Sequence, residues 1–108
     1  MTNDFLGFGL KHTTELVTKN PQEVSSHCMA IDFENTGDNT AYIAIKGGDE
    51  NVKYTLAKGD AVSFPPNGST NPVLRVEDTF VITFQVGAGQ SKVQVTKGYA
   101  TPNVLSFP

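Results

Sequence analysis

The clearest hydrophobic pattern in the chain runs from Thr79 to Val86. Phe80, Ile82, Phe84 and Val86 fall on one face of an extended strand, because side chains alternate between the two sides of a strand. The opposite face (Thr, Val, Thr, Gln) is polar enough to be solvated, yet flat enough to meet another subunit. No other segment is as long and as rich in β-forming residues. We therefore predict a strand near the centre of a sheet, with these four apolar residues in the core.

A second pattern predicts a strand from Ser25 to Glu34, with Met29, Ile31 and Phe33 on one face. On its other face the pattern places Cys28, Ala30, Asp32 and Glu34. Shorter strands are predicted between loops rich in Gly, Asn, Asp and Pro, at residues 13–18, 41–46, 52–56, 61–64, 73–76, 92–97 and 104–107. Gly98 to Asn103 is expected to loosen the chain after the 92–97 strand. No segment combines helical periodicity with helix caps.

About eight short strands, spaced by about ten residues, indicate an all-β fold with little or no helix. The prediction is an antiparallel β-sandwich or a jelly-roll-like barrel. Because the loops are short, we expect sequential strands to pair, with a crossing through the loop at 65–72. Residues 13–108 are predicted to form this single domain, preceded by an N-terminal arm at 1–12. The arm is apolar but interrupted by glycine, so it either packs against the core or becomes ordered on a partner.

Composition, net charge and cysteine count make several classes of function unexpected for this chain. Hydrophobic residues make up 38% of the 108 residues and the net charge is −3, without a cluster of Lys or Arg, so we expect no direct binding to nucleic acid. The single cysteine, Cys28, excludes an intrachain disulfide and is expected to be a small buried thiol. No signal peptide or membrane-spanning stretch is evident in the sequence, so we expect a soluble protein made in the cytoplasm.

Candidate chemistry is sparse. His12 and His27 are the only histidines, and neither accompanies a recognisable nucleophile turn, so we predict no catalytic residues and no enzyme. The acidic loop residues lack calcium-loop spacing and suit turns, so no metal and no cofactor are predicted. Tyr42, Tyr54 and Tyr99 are expected to pack in the core or in an interface rather than to stack on a sugar.

The segment from Phe33 to Val95 resembles a recurring β-domain of tailed-bacteriophage virions, found in capsid decoration proteins, head fibres and tail-associated proteins. The shared features are a turn, a short strand, a Leu-x-x-Gly-Asp-x-Val-x-Phe step and a late strand: Asn35-Thr36-Gly37, Tyr42-Ile43-Ala44-Ile45, then Leu56, Gly59, Asp60, Val62 and Phe64, and finally Phe80, Ile82 and Phe84. The resemblance implies a non-enzymatic structural protein located in the virion and made in the host cytoplasm.

Such a protein is expected to form a homo-oligomer, a trimer or a dimer, and to dock on the major capsid protein or another virion protein. The residues predicted for this interface are Phe5, Leu6, Phe8, Leu10, Asn67 and Tyr99. One alternative is a β-sandwich binding module that recognises carbohydrate or a cell-surface ligand through loops 47–51, 65–72 and 87–90. A small enzyme is a third and weaker alternative.

Overall fold

The computed structural model of the protein describes residues 8–48, 53–65 and 76–102, and this part of the chain contains eight β-strands. Most of the strands coincide with stretches of alternating or β-branched residues, and Gly, Pro, Asn or Asp lies beside many of their ends. The strands are β1 (Phe8–Val17), β2 (Gln22–Ser25), β3 (Ala30–Asn35), β4 (Ala41–Ile45), β5 (Tyr54–Leu56), β6 (Ala61–Phe64), β7 (Thr79–Phe84) and β8 (Val93–Pro102).

The strands form two four-stranded antiparallel sheets, in the orders β1-β8-β3-β6 and β2-β7-β4-β5. The first strand pairs with the last, the second with the seventh, the third with the sixth and the fourth with the fifth. This nested pairing is the topology of a jelly roll, in which a folded antiparallel ribbon wraps into two facing sheets. The predicted all-β sandwich of about eight strands is confirmed.

The core lies between the two sheets. Fully buried side chains from both sheets meet there, and the ring centroids of Phe33 on β3 and Phe80 on β7 are 5.0 Å apart. Phe64 on β6 contacts both rings. The inward positions of β7 are Phe80, Ile82 and Phe84, as the alternation predicts, and β7 is an internal strand of its sheet.

The predicted strand from Ser25 to Glu34 is wrong as a single element. It divides into the end of β2 and most of β3, which belong to different sheets. Between them His27 adopts a positive φ of 44°, and Cys28 forms an isolated antiparallel bridge with Val76. A left-handed residue redirects the chain, so the apolar run continues across a corner rather than along one strand. Cys28 is buried at this corner, as expected.

The predicted pairing of sequential strands is also wrong, except for β4 with β5. The other connections of the described chain pass from one sheet to the opposite one, which is how a jelly roll places sequence neighbours in different layers. The predicted crossing after β6 agrees with this topology, since β6 and β7 lie in different sheets; residues 66–75 themselves lie outside the described part.

Three predicted ends are misplaced. Val86 is 92% exposed rather than in the core, because β7 ends at Phe84. The last strand does not loosen at Gly98 but continues to Pro102 as β8, where it pairs with β1. The first strand begins at Phe8 instead of Thr13, so residues 8–12 of the predicted arm belong to the sheet. Residues 1–7 and the predicted strand at 104–107 lie outside the described residues.

Candidate interaction surface

One end of the sandwich, formed by the loops at 18–21, 36–40, 57–60 and 85–92, is held by amide side chains. Asn35 is fully buried, and its Nδ2 donates hydrogen bonds to the carbonyl oxygens of Asn39 and Leu56, each at 2.9 Å. Its Oδ1 accepts a hydrogen bond from the backbone N–H of Gly37 at 3.0 Å. Asn20 binds both the N–H and the carbonyl of Phe84. These amides therefore replace sheet hydrogen bonds where the strands end.

A second layer of contacts fixes the same loops. Asp38 Oδ2 accepts a hydrogen bond from the backbone N–H of Gln90, and Asp38 Oδ1 lies 3.0 Å from Nζ of Lys58. The hydrogen bond from Gln90, followed by the charge and hydrogen bond of Lys58, lowers the pKa of the Asp38 carboxyl. At Gly37 a Cβ atom would lie 2.6 Å from the carbonyl oxygen of Gln90, so the two loops pack backbone against backbone.

These polar groups of the loop end hold the loops together, since their hydrogen bonds go to neighbouring loops. Every buried side-chain nitrogen or oxygen in the described residues has a hydrogen-bond partner. A ligand at this end would have to compete with bonds that stabilise the fold. We therefore assign this end a structural role.

The opposite end carries the only sequence candidates for acid–base chemistry. His27 Nδ1 lies 2.6 Å from Oε2 of Glu77, and both side chains are more than half exposed. The neighbouring Ser26 is buried, and its hydroxyl lies within hydrogen-bond distance of the carbonyl oxygens of Val76 and Asp78. The Ser26 hydroxyl is thus engaged inside the fold while His27 faces solvent, so the two do not form a nucleophile–base pair.

The described residues offer little other site chemistry. Within residues 8–48, 53–65 and 76–102, no group of three or more His, Cys, Asp or Glu side chains is arranged to hold a metal ion. No helix in this part of the chain is long and apolar enough to cross a membrane. Burial raises the pKa of the Cys28 thiol, which keeps it protonated at neutral pH.

Of the three loops in the binding-module hypothesis, residues 49–51 and 66–72 lie outside the described residues, and the described residues 47–48 and 87–90 do not share one surface. Lys46 donates its backbone N–H to the carbonyl of Thr79, so residues 46–48 after β4 lie beside the start of β7. Gln85 instead donates to the carbonyl of Thr40, so loop 87–90 lies beyond the other end of β7. A strand of six residues separates the two groups by roughly 17 Å.

The β1 edge, defined as residues 8–17, is the longest edge strand of the described chain. β1 pairs along all ten of its residues with β8, and among the described strands none lies on its other side. Residues 11–16 are exposed on both faces of the strand, and only Val17 is buried. Leu16 is 55% exposed. The β1 edge therefore offers unpaired backbone groups together with accessible side chains.

Past the end of β3, β1 and β8 continue as a two-stranded ribbon made of residues 8–11 and 99–102. β3 pairs with β8 only from Val93 to Gly98, so residues 99–102 have β1 as their single sheet neighbour in the described structure. Two-stranded ribbons are marginally stable alone in water. The ribbon therefore gains stability from any surface that covers it.

Charges and one aromatic ring mark where the β1 edge leaves the core. Glu15, which is half exposed, lies opposite Val95, and its Oε1 is 3.9 Å from Nζ of Lys97. Tyr99 lies opposite Lys11 and packs partly against the core cluster. The inward face of β1 thus changes from apolar at Val17 to charged and polar over a few residues.

Three of the predicted interface residues lie on paired strands but do not share one face. Phe8 and Leu10 occupy β1, whereas Tyr99 on β8 is directly opposite Lys11, a position on the other face of the ribbon. Phe5, Leu6 and Asn67 lie outside the described residues. The sequence reasoning missed Lys11, Glu15 and Leu16, although an exposed leucine and two opposite charges on a Thr-rich strand are a detectable signal.

No protein-family model, curated protein or solved structure matches this chain. The geometry of the fold and of the β1 edge is therefore what bears on the function of the protein.

Proposed function

We propose that this protein is a structural virion protein, a capsid decoration or other phage-particle accessory protein, that acts by self-association and by docking on neighbouring subunits. It is a homo-oligomer, a dimer or a trimer, whose partner in the particle is the major capsid protein or another virion component. The observation that carries the proposal is a packed jelly roll with one long, open edge strand.

The fold supports a surface function rather than an internal binding site. Jelly rolls occur in viral capsid, lectin and cupin domains. The fold alone does not distinguish these functions, so the distinction depends on where accessible side chains lie. Here the space between the sheets is filled by side chains such as Phe33, Phe80 and Ile43, all fully buried. Because side chains fill this space, a partner would bind at the outer surfaces or at the edges of the sheets.

The distribution of polar groups supports the same choice. At the loop end, Asn20, Asn35, Asn39 and Asp38 bind backbone groups of neighbouring loops. Of the loops named for the carbohydrate-binding alternative, the described residues 47–48 and 87–90 lie at opposite ends of β7. The β1 edge remains as the place where backbone and side chains are both available to another protein chain.

The proposal is tested first on the particle. Particles are purified by density gradient from cells that produce the phage, and their proteins are quantified by peptide mass spectrometry. We expect this chain in the particle band at a constant ratio to the major capsid protein, with an abundant host cytoplasmic enzyme as the control that must stay outside the band. Recovery of the chain only from the particle-free fraction would contradict a virion role.

Self-association is tested separately on the purified full chain. Native mass spectrometry and light scattering over a range of concentrations should give the mass of a dimer or trimer. A monomer at the highest soluble concentration would refute the self-associating part of the proposal.

A further inference from the structure

We infer that the partner of the β1 edge is the β1 edge of a second copy, paired antiparallel about a two-fold axis at Thr13. This inference rests on the self-association proposed above and specifies its geometry. The two sheets β1-β8-β3-β6 would join edge to edge into one eight-stranded sheet. Three observations carry it: the length of the strand, its exposure and its charge pattern.

Strand length distinguishes this edge from the others. The remaining edge strands of the two sheets are β2, β5 and β6, with 4, 3 and 4 residues. Very short edge strands are one of the devices by which proteins prevent unwanted pairing. β1 has ten residues. Only this edge of the described structure therefore offers a ladder long enough for a specific partner.

Geometry limits the possible registers. A two-fold axis that relates two antiparallel edge strands runs perpendicular to the sheet, so directly opposed residues must have side chains on the same face. The numbers of two opposed residues must then add to an even value. A shift by one residue would set inward side chains against outward ones.

Among the even registers, the one centred on Thr13 gives the best match of charges. It sets Lys11 opposite Glu15 of the second copy, and the two-fold symmetry forms this pair twice. A centre at 12 would instead set Lys11 against Thr13, and a centre at 14 would set it against Val17. Centres at 11 and 15 would oppose two like charges. Opposite charges across a ladder stabilise it, whereas like charges destabilise it.

The same register also pairs the apolar positions of the strand. Leu10 would lie opposite Leu16 of the second copy, and Thr13 opposite its own counterpart. Leu16 is 55% exposed in the single chain, so pairing would cover an apolar side chain that the core leaves open. Residues 10–16 are therefore self-complementary in charge and in hydrophobicity.

Charge reversal with rescue by mixing tests the inference. Lys11→Glu or Glu15→Lys alone would oppose like charges twice, and we expect the dimer Kd to rise by about tenfold or more. An equimolar mixture of the two variants, one of them isotopically labelled, should form the heterodimer, because each mixed contact then joins opposite charges. Glu34→Lys, at an exposed position on β3 of the same sheet, is the matched control and should leave Kd unchanged.

Cysteine cross-linking tests the register independently. Under a copper–phenanthroline oxidant with oxygen, Thr13→Cys should give a disulfide-linked dimer, because directly opposed residues have Cα atoms about 4.5 to 5.5 Å apart. Thr14→Cys is the control, since its two copies would be offset by two residues, at about 8 Å, beyond the disulfide limit of about 7 Å. The native Cys28 is buried and should stay unreacted. Circular dichroism establishes that each variant is folded.

The outcomes separate this inference from the proposed function. Monomeric single variants, a heterodimer on mixing and a Thr13→Cys cross-link support the β1 pairing. An oligomer that ignores both charge reversals and gives no cross-link at position 13 overturns the β1 pairing and leaves self-association standing. A wild-type monomer at all concentrations overturns both.

Discussion

The side chain of Asn35 joins the loop at 36–40 to the end of β5, and its removal should lower the free energy of unfolding by more than its small size suggests. Asn35→Ala deletes two donated hydrogen bonds, to the carbonyls of Leu56 and Asn39, and one accepted bond from Gly37 N–H. The site is fully buried, so water does not readily replace the lost groups.

The expected loss of unfolding free energy depends on whether each group that is hydrogen-bonded to Asn35 can find another partner. The Leu56 carbonyl bonds to Asn35 in a buried setting, and losing its partner there costs about 1 to 3 kcal/mol. The Asn39 bond is only partly buried, which suggests about 0.5 to 1.5 kcal/mol. Gly37 N–H retains a second acceptor, the carbonyl of Lys92 at 3.0 Å, and so adds little. The sum is about 3 kcal/mol, a large part of the roughly 5 to 15 kcal/mol that stabilises a domain.

Urea denaturation monitored by circular dichroism and tyrosine fluorescence measures this loss, since the chain has no tryptophan. The matched control is Asn39→Ala, whose side chain donates to Gly89 O and Ser91 Oγ in more accessible positions. We expect its cost to be about 1 kcal/mol, because water can replace these bonds. A loss below about 1 kcal/mol for Asn35→Ala, or equal losses for both variants, would refute the structural role assigned to Asn35.

Three further predictions follow from burial and charge. Phe33→Ala should lower the free energy of unfolding by about 3 to 5 kcal/mol in urea titrations, because Phe33 is fully buried. Val86→Ala, at an exposed position, should change it by less than about 0.5 kcal/mol, and similar values for both variants would contradict the observed core. Asp38 has a pKa below its ordinary value of 3.8, so its stabilising effect is complete above that pH and is lost as pH falls through the folded pKa. Asp38→Asn should therefore flatten the acid side of the curve of stability against pH. An unchanged curve would contradict the contacts of Asp38 with Gln90 and Lys58. Cys28, buried and with a raised pKa, should react with a thiol reagent only after urea unfolds the chain, and rapid labelling of the native protein would show that the corner opens.

The fold class and much of the core follow from local patterns in the sequence. Alternation placed Phe80, Ile82 and Phe84 inward because a strand buried on one face must be apolar at every second position. Turn residues marked most strand ends for an equally local reason. The interface predicted at Phe8, Leu10 and Tyr99 stays a prediction; the structure places two of these residues on β1 and the third on β8.

The strand partners, the corner and the open edge depend on the assembled sheets, and local patterns do not encode them. The nested pairing of β1 with β8 and β2 with β7 joins residues distant in sequence, and no alternation pattern names its partner strand. The corner at His27 divides one apolar run between two sheets, because both sides of the corner are buried and periodicity continues through it. Val86 matches the period of β7 yet is exposed, since the sheet ends before it. The openness of the β1 edge likewise depends on which strands lie beside it, a property of the assembled sheet rather than of residues 8–17.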